Sequence, residues 1–387
     1  MDDIVSQIQT LASEVDPAGR ATILHALRQV LSGLGSPKDI IIQLFNEHLR
    51  NAIVRVGIHS GIFQLLSKSQ DPLSAAQMAE YSGAHPQMFE RIVRYLASND
   101  MIQDVGQGQF KANNVTHVLA SPAAEAFISH SFDVMGPAVQ AFPDFLVETG
   151  YADISDNVKT PFQKAFDTDL PSFAWLAQHP KHLEAMTEVM KAFQSGAWMN
   201  GLDEFEKGVL DTEHDLERVF FVDVGGGSGH QCVEVRDKYP NLKGRLVLQE
   251  LPEVIKSLTD VPGVKIEAHN FFEEQTVIGA KVYYLRRILH DWPDAKCVQI
   301  LQHLRSAMAS DSRILIDEMV LPDTNVPWQS AMADLSMMIT LAGKERSKAQ
   351  WAILAKQSGL QIAHIHNYED AVTFNSVIVL EIDQTDP

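Results

Sequence analysis

The sequence predicts an α/β fold, in which a doubly wound, mostly parallel sheet follows a mostly helical N-terminal region. From Val219 onward, short apolar segments alternate with helical segments, as they do when helices connect the strands of a parallel sheet. Residues 72–113 follow the order helix, turn, helix and hairpin, which is typical of a winged helix. A chain of 387 residues is long enough for two or three domains.

The first 70 residues are predicted to be helical. Apolar residues recur there at helical intervals, for example at Ile4, Ile8 and Leu11, and breaking residues are scarce. Amphipathic helices of this kind either pack on the body of the protein or pair with a second copy of the chain. The spacing leaves both alternatives open.

The winged-helix segment carries clear boundary signals. Ser74 and Gln77 form a capping-box pattern, Gly83 ends that helix, and Pro86 begins the next one. A winged helix either binds DNA or acts as a packing and dimerisation module. The formal net charge of −19 favours the second alternative, because an acidic surface repels phosphate groups.

We divide the chain into a helical, winged-helix domain at 1–120, a helical connecting segment at 121–205 and a sheet domain at 206–387. The connecting segment is rich in Phe and Met, and we expect it to contribute to a substrate pocket. In the sheet domain, helices are predicted at Ala295–Met308 and Lys348–Ser358. The predicted strands are Val219–Val224, Arg245–Gln249, Lys265–His269, Lys281–Leu285, Arg313–Glu318, Gln361–His366 and Asn375–Glu381.

A glycine run directly follows the first predicted strand, in Val222–Gly229. Glycines at the carboxyl end of a strand let the backbone approach a ligand closely, as in nucleotide-binding folds. His230 stands where the dinucleotide motif needs its third glycine, and no Lys-Ser/Thr pair follows, as a phosphate-binding loop requires. The remaining common ligand is S-adenosylmethionine. Glu250, at the end of the next strand, supplies a carboxylate for ribose hydroxyls.

Three further residues are candidates for chemistry. His290 follows a predicted strand in the sequence His-Asp-Trp-Pro, and a histidine there can accept a proton near neutral pH. Glu318 ends another apolar strand, and Glu345 precedes a helix; carboxylates beside a histidine hold its tautomer and raise its basicity. The alternative is a surface histidine capped by Asp291.

Together these segments resemble the S-adenosylmethionine-dependent O-methyltransferases of the plant caffeic-acid and flavonoid type, in particular their relatives in fungal secondary metabolism. The resemblance is sharpest in Val222–Gly229, Val247–Ile255, Tyr284–Asp294, Ile314–Asp323 and Asp334–Gly359. It implies a Rossmann-like methyltransferase sheet, an N-terminal winged-helix dimerisation domain and therefore a homodimer. It also implies transfer of a methyl group to a hydroxyl of a small aromatic or polyketide-type metabolite.

The resemblance assigns roles to individual residues. His290 would deprotonate the acceptor hydroxyl, with Glu318 and Glu345 beside it. In the family a Lys is common where Arg286 stands, an Asp is usual where Asn270 stands, and Glu250 is one methylene longer than the usual Asp. The longer Glu250 can shift the ribose contact, and Asn270 loses a charge but keeps its hydrogen bonding; we expect cofactor binding to survive these two changes. The cofactor site would comprise Asp223, Gly225, Gly227, Glu250, Asn270, Phe271, Arg286 and Trp292, and the acceptor pocket His130, Phe162, Met190 and Met338.

Some members of this family are pericyclases or dehydratases that bind the cofactor without transferring its methyl group, and this alternative remains open at the sequence level. No metal-ligand cluster is recognisable, and no metal is needed for methyl transfer. We expect neither nucleic acid nor a membrane as a partner. Cys232 and Cys297 are too few for a disulfide framework, and the acidic start lacks the features of a signal peptide, which favours the cytoplasm.

Overall fold

The computed structural model describes residues 2–192, 197–202, 205–207, 217–242, 245–256, 258, 260–368 and 375–384. These residues divide into two compact units. We call Thr22–Asp144 with Lys164–Phe193 the helical unit, and Met1–Ala21, Phe145–Gln163 and Gln194–Pro387 the sheet unit. The boundaries 1–120, 121–205 and 206–387 stay a prediction. Residues 193–196 and 203–204 of the connecting segment lie outside the described part.

Helices dominate the described residues up to 192. They are α1 (Asp2–Glu14), α2 (Pro17–Leu34), α3 (Pro37–His59), α4 (Ile62–Lys68), α5 (Ala75–Ser82), α6 (Pro86–Ser98), α7 (Asn114–Leu119), α8 (Pro122–His130), α9 (Gly136–Glu148), α10 (Pro161–Phe166), α11 (Ser172–Ala177) and α12 (Pro180–Ala192). The helical prediction for the first 70 residues is confirmed by α1 to α4. No helix among the described residues is long and apolar enough to cross a lipid bilayer.

The winged-helix pattern is confirmed in the helical unit. Ser74 caps α5 through a complete capping box with Gln77, and Gly83 ends this helix with a φ of 67°. Strands β2 (Gln103–Gly106) and β3 (Gln109–Lys111) form the hairpin. Strand β1 (Leu73–Ser74) pairs with β3 and was not predicted, because two residues are too few to show alternation.

The sheet unit contains one large sheet. Its strands are β4 (Phe221–Val224), β5 (Leu246–Glu250), β6 (Val264–Ala268), β7 (Val282–Arg286), β8 (Arg313–Leu321), β9 (Arg346–Ser347), β10 (Leu360–Asn367) and β11 (Asn375–Ile382). The order is β10-β11-β8-β7-β4-β5-β6, with β9 paired to β8. Every predicted strand is found, and β8 continues three residues beyond its predicted end at Glu318.

Helices follow the strands and cover the sheet. They are α13 (His230–Lys238), α14 (Pro252–Ile255), α15 (Asp294–Ala307), α16 (Trp328–Leu341) and α17 (Lys348–Gln357). Strands β4, β5 and β7 are almost completely buried, as expected for strands with helices on both faces. Strands β5, β4, β7 and β8 pair in parallel. Their carboxyl ends therefore meet at one edge, where Glu250 and the segments after β4 and β7 lie.

Replacement of Ile300 by alanine is expected to destabilise the sheet unit. Ile300 is completely buried in α15 within the core between helices and sheet. Ile300→Ala should lower the free energy of unfolding by about 2–5 kcal/mol, because the cavity adds to the lost apolar burial. Urea unfolding measures this change. The control, Ile353→Ala in α17, removes a side chain that is 58% exposed and should change little; equal losses in both variants would contradict the packing.

Candidate active site

His290 lies at the carboxyl edge of the sheet, in a short 3-10 turn, Leu289–Asp291, that follows β7. The chain leaves β7 through Arg287, whose φ of 50° turns the backbone sharply. His290 is only 7% exposed. The alternative of a surface histidine capped by Asp291 is therefore wrong: this imidazole is enclosed by protein groups.

Glu345 holds one nitrogen of the imidazole. His290 Nδ1 lies 2.8 Å from Glu345 Oε1, at hydrogen-bond distance to a carboxylate that is itself buried. The amide of Lys344 donates to the carbonyl oxygen of His290 at 2.9 Å, and the amide of Glu345 donates to Asp334 Oδ1 at 2.9 Å. A carboxylate that accepts the Nδ1 proton fixes the tautomer, which leaves Nε2 as the nitrogen for an incoming group.

Glu318 has a different role from Glu345. Its Oε1 accepts hydrogen bonds from the backbone amides of Ile288 at 2.9 Å, Leu289 at 3.0 Å and His290 at 3.4 Å. Its Oε2 lies 3.6 Å from His290 Nδ1, too far for a hydrogen bond. Glu318 therefore fixes mainly the backbone of the turn and contributes negative charge, whereas Glu345 orients the ring.

Electrostatic interactions make His290 a strong base. Burial by itself would lower the pKa of His290, but Glu318, Glu345 and Asp291 together raise it to about 10. Asp291 faces the other side of the ring, with Oδ1 at 3.4 Å from Nε2. The carboxylates thus raise the basicity of His290, in the direction that the sequence analysis predicts. With a pKa of about 10 the imidazole is protonated at neutral pH.

The surrounding carboxyl groups respond to the same environment. Burial raises the pKa of Glu318 to about 7 and that of Asp291 to about 6. Burial also opposes ionisation of Glu345, but the hydrogen-bonded imidazole of His290 more than compensates, so the pKa of Glu345 is lowered. Glu345 is therefore the carboxyl group of the cluster whose ionised form the hydrogen-bonded His290 stabilises most directly.

Two buried oxygens of this cluster lack a hydrogen-bond partner among the described residues: Glu318 Oε2 and Glu345 Oε2. The ligand atoms of His290, Glu318 and Glu345 all lie within 4.8 Å of one another, a spacing that a metal ion can also span. Metal independence stays a prediction. Since Nδ1 already meets Glu345, the contacts themselves describe a buried, hydrogen-bonded cluster.

Gly343 allows the two segments of the site to meet. Helix α16 ends at Ala342 with a φ of 56°, and the next residue passes directly beside the His290 turn. A Cβ atom on Gly343 would lie 1.9 Å from the carbonyl oxygen of His290, which is a severe backbone clash. Only glycine fits this crossing, and the crossing brings Glu345 to the imidazole.

The glycine turn lies beside the same edge. Gly225 adopts a φ of 69°, and a Cβ on it would lie 2.8 Å from Ile288 Cδ1, two residues before His290. A Cβ on Gly226 would lie 2.4 Å from the carboxyl carbon of Asp223. Gly227, with a φ of 58°, has open space beyond its Cα atom. The turn thus packs tightly on one side and is accessible on the other.

Glu250 binds the backbone of this turn. Its Oε1 accepts the amide proton of Gly227 at 3.2 Å, and its Oε2 accepts that of Leu251 at 2.7 Å. Burial raises the pKa of Glu250. Burial also raises the pKa of Asp223 to about 7, and Asp223 Oδ2 has no hydrogen-bond partner among the described residues. One half-buried and one fully buried carboxyl group beside an open glycine backbone suit a ligand that carries hydroxyl and amine donors.

The remaining predicted cofactor residues are placed around the edge, each with protein contacts of its own. Arg286 forms an ion pair with Asp317 at 3.1 Å. The side chain of Asn270 accepts the amide proton of Phe272 at 3.1 Å. Trp292 packs edge-on against Phe272 at 4.7 Å and Phe271 at 6.1 Å, and the ring of Phe271 also lies against Gly225.

The four predicted pocket residues belong to different units. His130 and Met190 are in the helical unit, at the ends of α8 and α12, two helices that pack on each other. His130 is half-buried and its Nδ1 has no hydrogen-bond partner among the described residues, whereas Met190 is 55% exposed. Phe162, completely buried in α10, and Met338, half-buried in α16, are in the sheet unit. Their role as a pocket stays a prediction.

Several residues of the site were not predicted. Gly343 and Arg346 flank Glu345 in the sequence, and Asp334 lies on α16; none carries a signal when read singly. The sequence suggests Asp291 only as a cap for a surface histidine. Adjacency to the predicted His290 and Glu345 is the one signal that could have singled out three of these four residues.

Comparison with known proteins identifies the family. The O-methyltransferase domain family matches residues 151–361, and the O-methyltransferase dimerisation domain family matches residues 42–122. The demethylsterigmatocystin 6-O-methyltransferase of Aspergillus flavus is 38% identical over 95% of this chain and 95% of its own length.

Solved structures agree with the fold. A structure described as a pericyclic reaction enzyme matches with a TM-score of 0.90 and 36% identity, covering 98% of each chain. A structure of LepI in complex with SAM matches with the same TM-score, identity and coverage. The proteins similar to this chain therefore include one named as an O-methyltransferase and one described as a pericyclic reaction enzyme.

Substitution of Gly343 should show how tightly the two segments cross. Gly343→Ala forces the backbone away from the carbonyl of His290, and we expect a loss of about 1–3 kcal/mol or more in the free energy of unfolding. Gly33→Ala is the control: this glycine lies in α2 with no neighbour within 4 Å, so alanine should be neutral or slightly stabilising. Chemical denaturation measures both, and a neutral Gly343→Ala would contradict the close crossing.

Proposed function

The chain belongs to the S-adenosylmethionine-dependent O-methyltransferase family, and we propose that it methylates a hydroxyl of a small aromatic or polyketide-type metabolite with His290 as the general base. The observation that carries this proposal is the contact between His290 Nδ1 and Glu345 Oε1 at 2.8 Å. It reserves Nε2 for the acceptor hydroxyl. Ile288 packs on Gly225, which puts the turn of His290 beside the glycine loop.

S-adenosylmethionine is the cofactor of this family. The residues at the edge fit it: Glu250 offers a carboxylate for ribose hydroxyls, and the open face of Gly227 lets a ligand reach the backbone. The unpartnered Oδ2 of Asp223 provides a further buried acceptor in the same turn. When bound, the cofactor supplies an activated methyl group and a positive charge. The protein's own task is to orient the acceptor and to remove its proton.

The pKa of His290 is close to that of a phenolic acceptor. The free pKa of a phenol is about 10, close to the value of about 10 for His290, so little free energy separates the proton on the hydroxyl from the proton on Nε2. Glu345 stabilises the resulting imidazolium through Nδ1. Glu318 keeps the turn in place through the three backbone amides, so the ring does not shift when its charge changes.

The acceptor and the partners are proposed from the family. The Aspergillus flavus relative is named for 6-O-methylation of demethylsterigmatocystin, and for this chain we propose a small aromatic or polyketide-type acceptor. The dimerisation domain supports a homodimer. We further propose that the protein acts in the cytoplasm, without nucleic acid as a partner.

A pericyclic or dehydration reaction is the second candidate. The observation that favours it is the charge of His290: an imidazolium at neutral pH donates a hydrogen bond or a proton more readily than it accepts one. A 36% identical structure is also described as a pericyclic reaction enzyme. Methyl transfer remains the better supported reaction, because the matching family and the 38% identical relative are both named for O-methylation.

The mass of the product distinguishes the two reactions. The protein is incubated with labelled S-adenosylmethionine and candidate hydroxylated polyketides, and we expect a product heavier by one methyl group. His290→Gln should lower kcat by about 100- to 10,000-fold, the usual contribution of a general base, without weakening cofactor binding measured by calorimetry. His85→Gln, which alters an exposed histidine, is the matched control. A product of unchanged mass without S-adenosylhomocysteine would exclude methyl transfer and support the second candidate.

The pH dependence should reveal the raised pKa of His290. A general base acts when deprotonated, so with a pKa near 10 the value of kcat/KM should increase with pH throughout the range from 7 to 9. An unperturbed histidine would give a plateau above about pH 7.5, one unit above its usual pKa of about 6.5. Steady-state kinetics in a constant-ionic-strength buffer series measures this profile. A plateau beginning at or below pH 7.5 would contradict the proposed environment of the imidazole.

A further inference from the structure

Arg346, the residue after Glu345, is completely buried and binds the turn that carries His290. Its Nη1 donates to the carbonyl oxygen of Leu289 at 3.0 Å, and its Nη2 donates to that of Trp292 at 3.0 Å. These two carbonyls belong to the residues on either side of His290 and Asp291. One guanidinium group thus bridges the two ends of the turn.

The same guanidinium is fixed from the other side. Its Nε and Nη2 donate to Asp294 Oδ1, at 3.0 and 2.8 Å, and its plane lies over the ring of Trp351, with 5.2 Å from Cζ to the ring centroid. A rigid, planar group with five donors can satisfy acceptors in several directions at once. A lysine ammonium keeps the charge but cannot reproduce this fork.

The position of Arg346 in the chain links these bonds to Glu345 and to strand β8. Arg346 begins β9, which pairs with β8 at Val320, and β8 also carries Glu318. Glu345 and its neighbours therefore contact the His290 turn in three ways: the carboxylate meets Nδ1, the amide of Lys344 donates to the carbonyl of His290, and Arg346 binds the carbonyls of Leu289 and Trp292. Glu318 and Lys344 also hold the turn, so displacement of the arginine would shift the turn without freeing it, and would change the distance between Nδ1 and Oε1.

We propose that Arg346 is a positioning residue, which sets the distance between His290 and Glu345 by binding the carbonyl groups of Leu289 and Trp292. This proposal rests on the proposed function, in which His290 acts through that contact. Arg346 touches neither the imidazole nor the carboxylate of Glu345 in the hydrogen bonds described, so it acts through the backbone and not as a catalytic residue.

Two substitutions test the proposal. Arg346→Lys keeps a buried cation and Arg346→Met keeps the apolar volume, but both lose the fork. We expect kcat to fall about 100-fold in both, since a misplacement of about 1 Å costs that much, while S-adenosylmethionine binds as in the wild type. If Arg346→Met fails to fold, Arg346→Lys alone decides. A stably folded Arg346→Lys with wild-type kcat would overturn the proposal.

Arg245→Met is the matched control. Arg245 is a buried arginine of the same unit, and its Nε donates to the carbonyl oxygen of Arg218 at 2.8 Å, remote from the turn. We expect a loss of thermal stability similar to that of Arg346→Met, with kcat unchanged below the unfolding temperature. An equal loss of kcat in both variants would mean that any buried arginine matters equally, and would also overturn the proposal.

A spectroscopic measurement separates this proposal from the reaction itself. Nitrogen-15 labelled histidine should show, in the wild type, a strongly downfield Nδ1 proton for His290, assigned by its absence in His290→Gln. We expect this signal to shift or disappear in Arg346→Lys and to persist in Arg245→Met. An unchanged signal in Arg346→Lys would contradict the positioning role. If the wild type instead methylates no acceptor while the signal responds as expected, the proposed function fails and the positioning role holds.

Discussion

The arrangement of the site depends on one buried hydrogen bond, between His290 Nδ1 and Glu345 Oε1 at 2.8 Å. An isolated charge in this position would cost several kcal/mol of desolvation free energy, and each partner is tolerable only because the other is present. The bond joins two segments that are 55 residues apart in the sequence. The sheet pairing of β8, the helix end at Ala342 and the close crossing at Gly343 all serve to bring these two groups together.

The carboxylates around the imidazole have different roles: some of their contacts orient groups of the site, and all three add negative charge. Glu345 orients the ring, Glu318 binds the backbone of the turn, and Asp291 lies near the opposite nitrogen. Three acids around one imidazole are expensive to bury, and a core of apolar residues would be more stable. The three acids raise the pKa of the histidine, and groups with strongly shifted pKa values are typical of functional sites.

Most of the fold could be predicted from the sequence, because buried parallel strands and amphipathic helices leave strong apolar patterns. The glycine turn and His290 each follow a predicted strand, and in the structure both lie at one edge of the sheet, since the strands of a parallel sheet end together. Strands β1 and β9 were missed, because two residues carry no periodicity. Arg346 could not be predicted either: a buried arginine is identified by the carbonyls it binds, and these belong to a distant turn.

Strand β8 has consequences for how the protein acquires its site during synthesis. It carries Glu318 and pairs with β9, but one of its neighbours in the sheet is β11 (Asn375–Ile382), which the ribosome makes later. Until β11 arrives, β8 presents an unpaired edge of apolar residues, the kind of surface on which nascent chains associate wrongly. The strand that carries Glu318 therefore gains its full set of partners only after β11 has been synthesised.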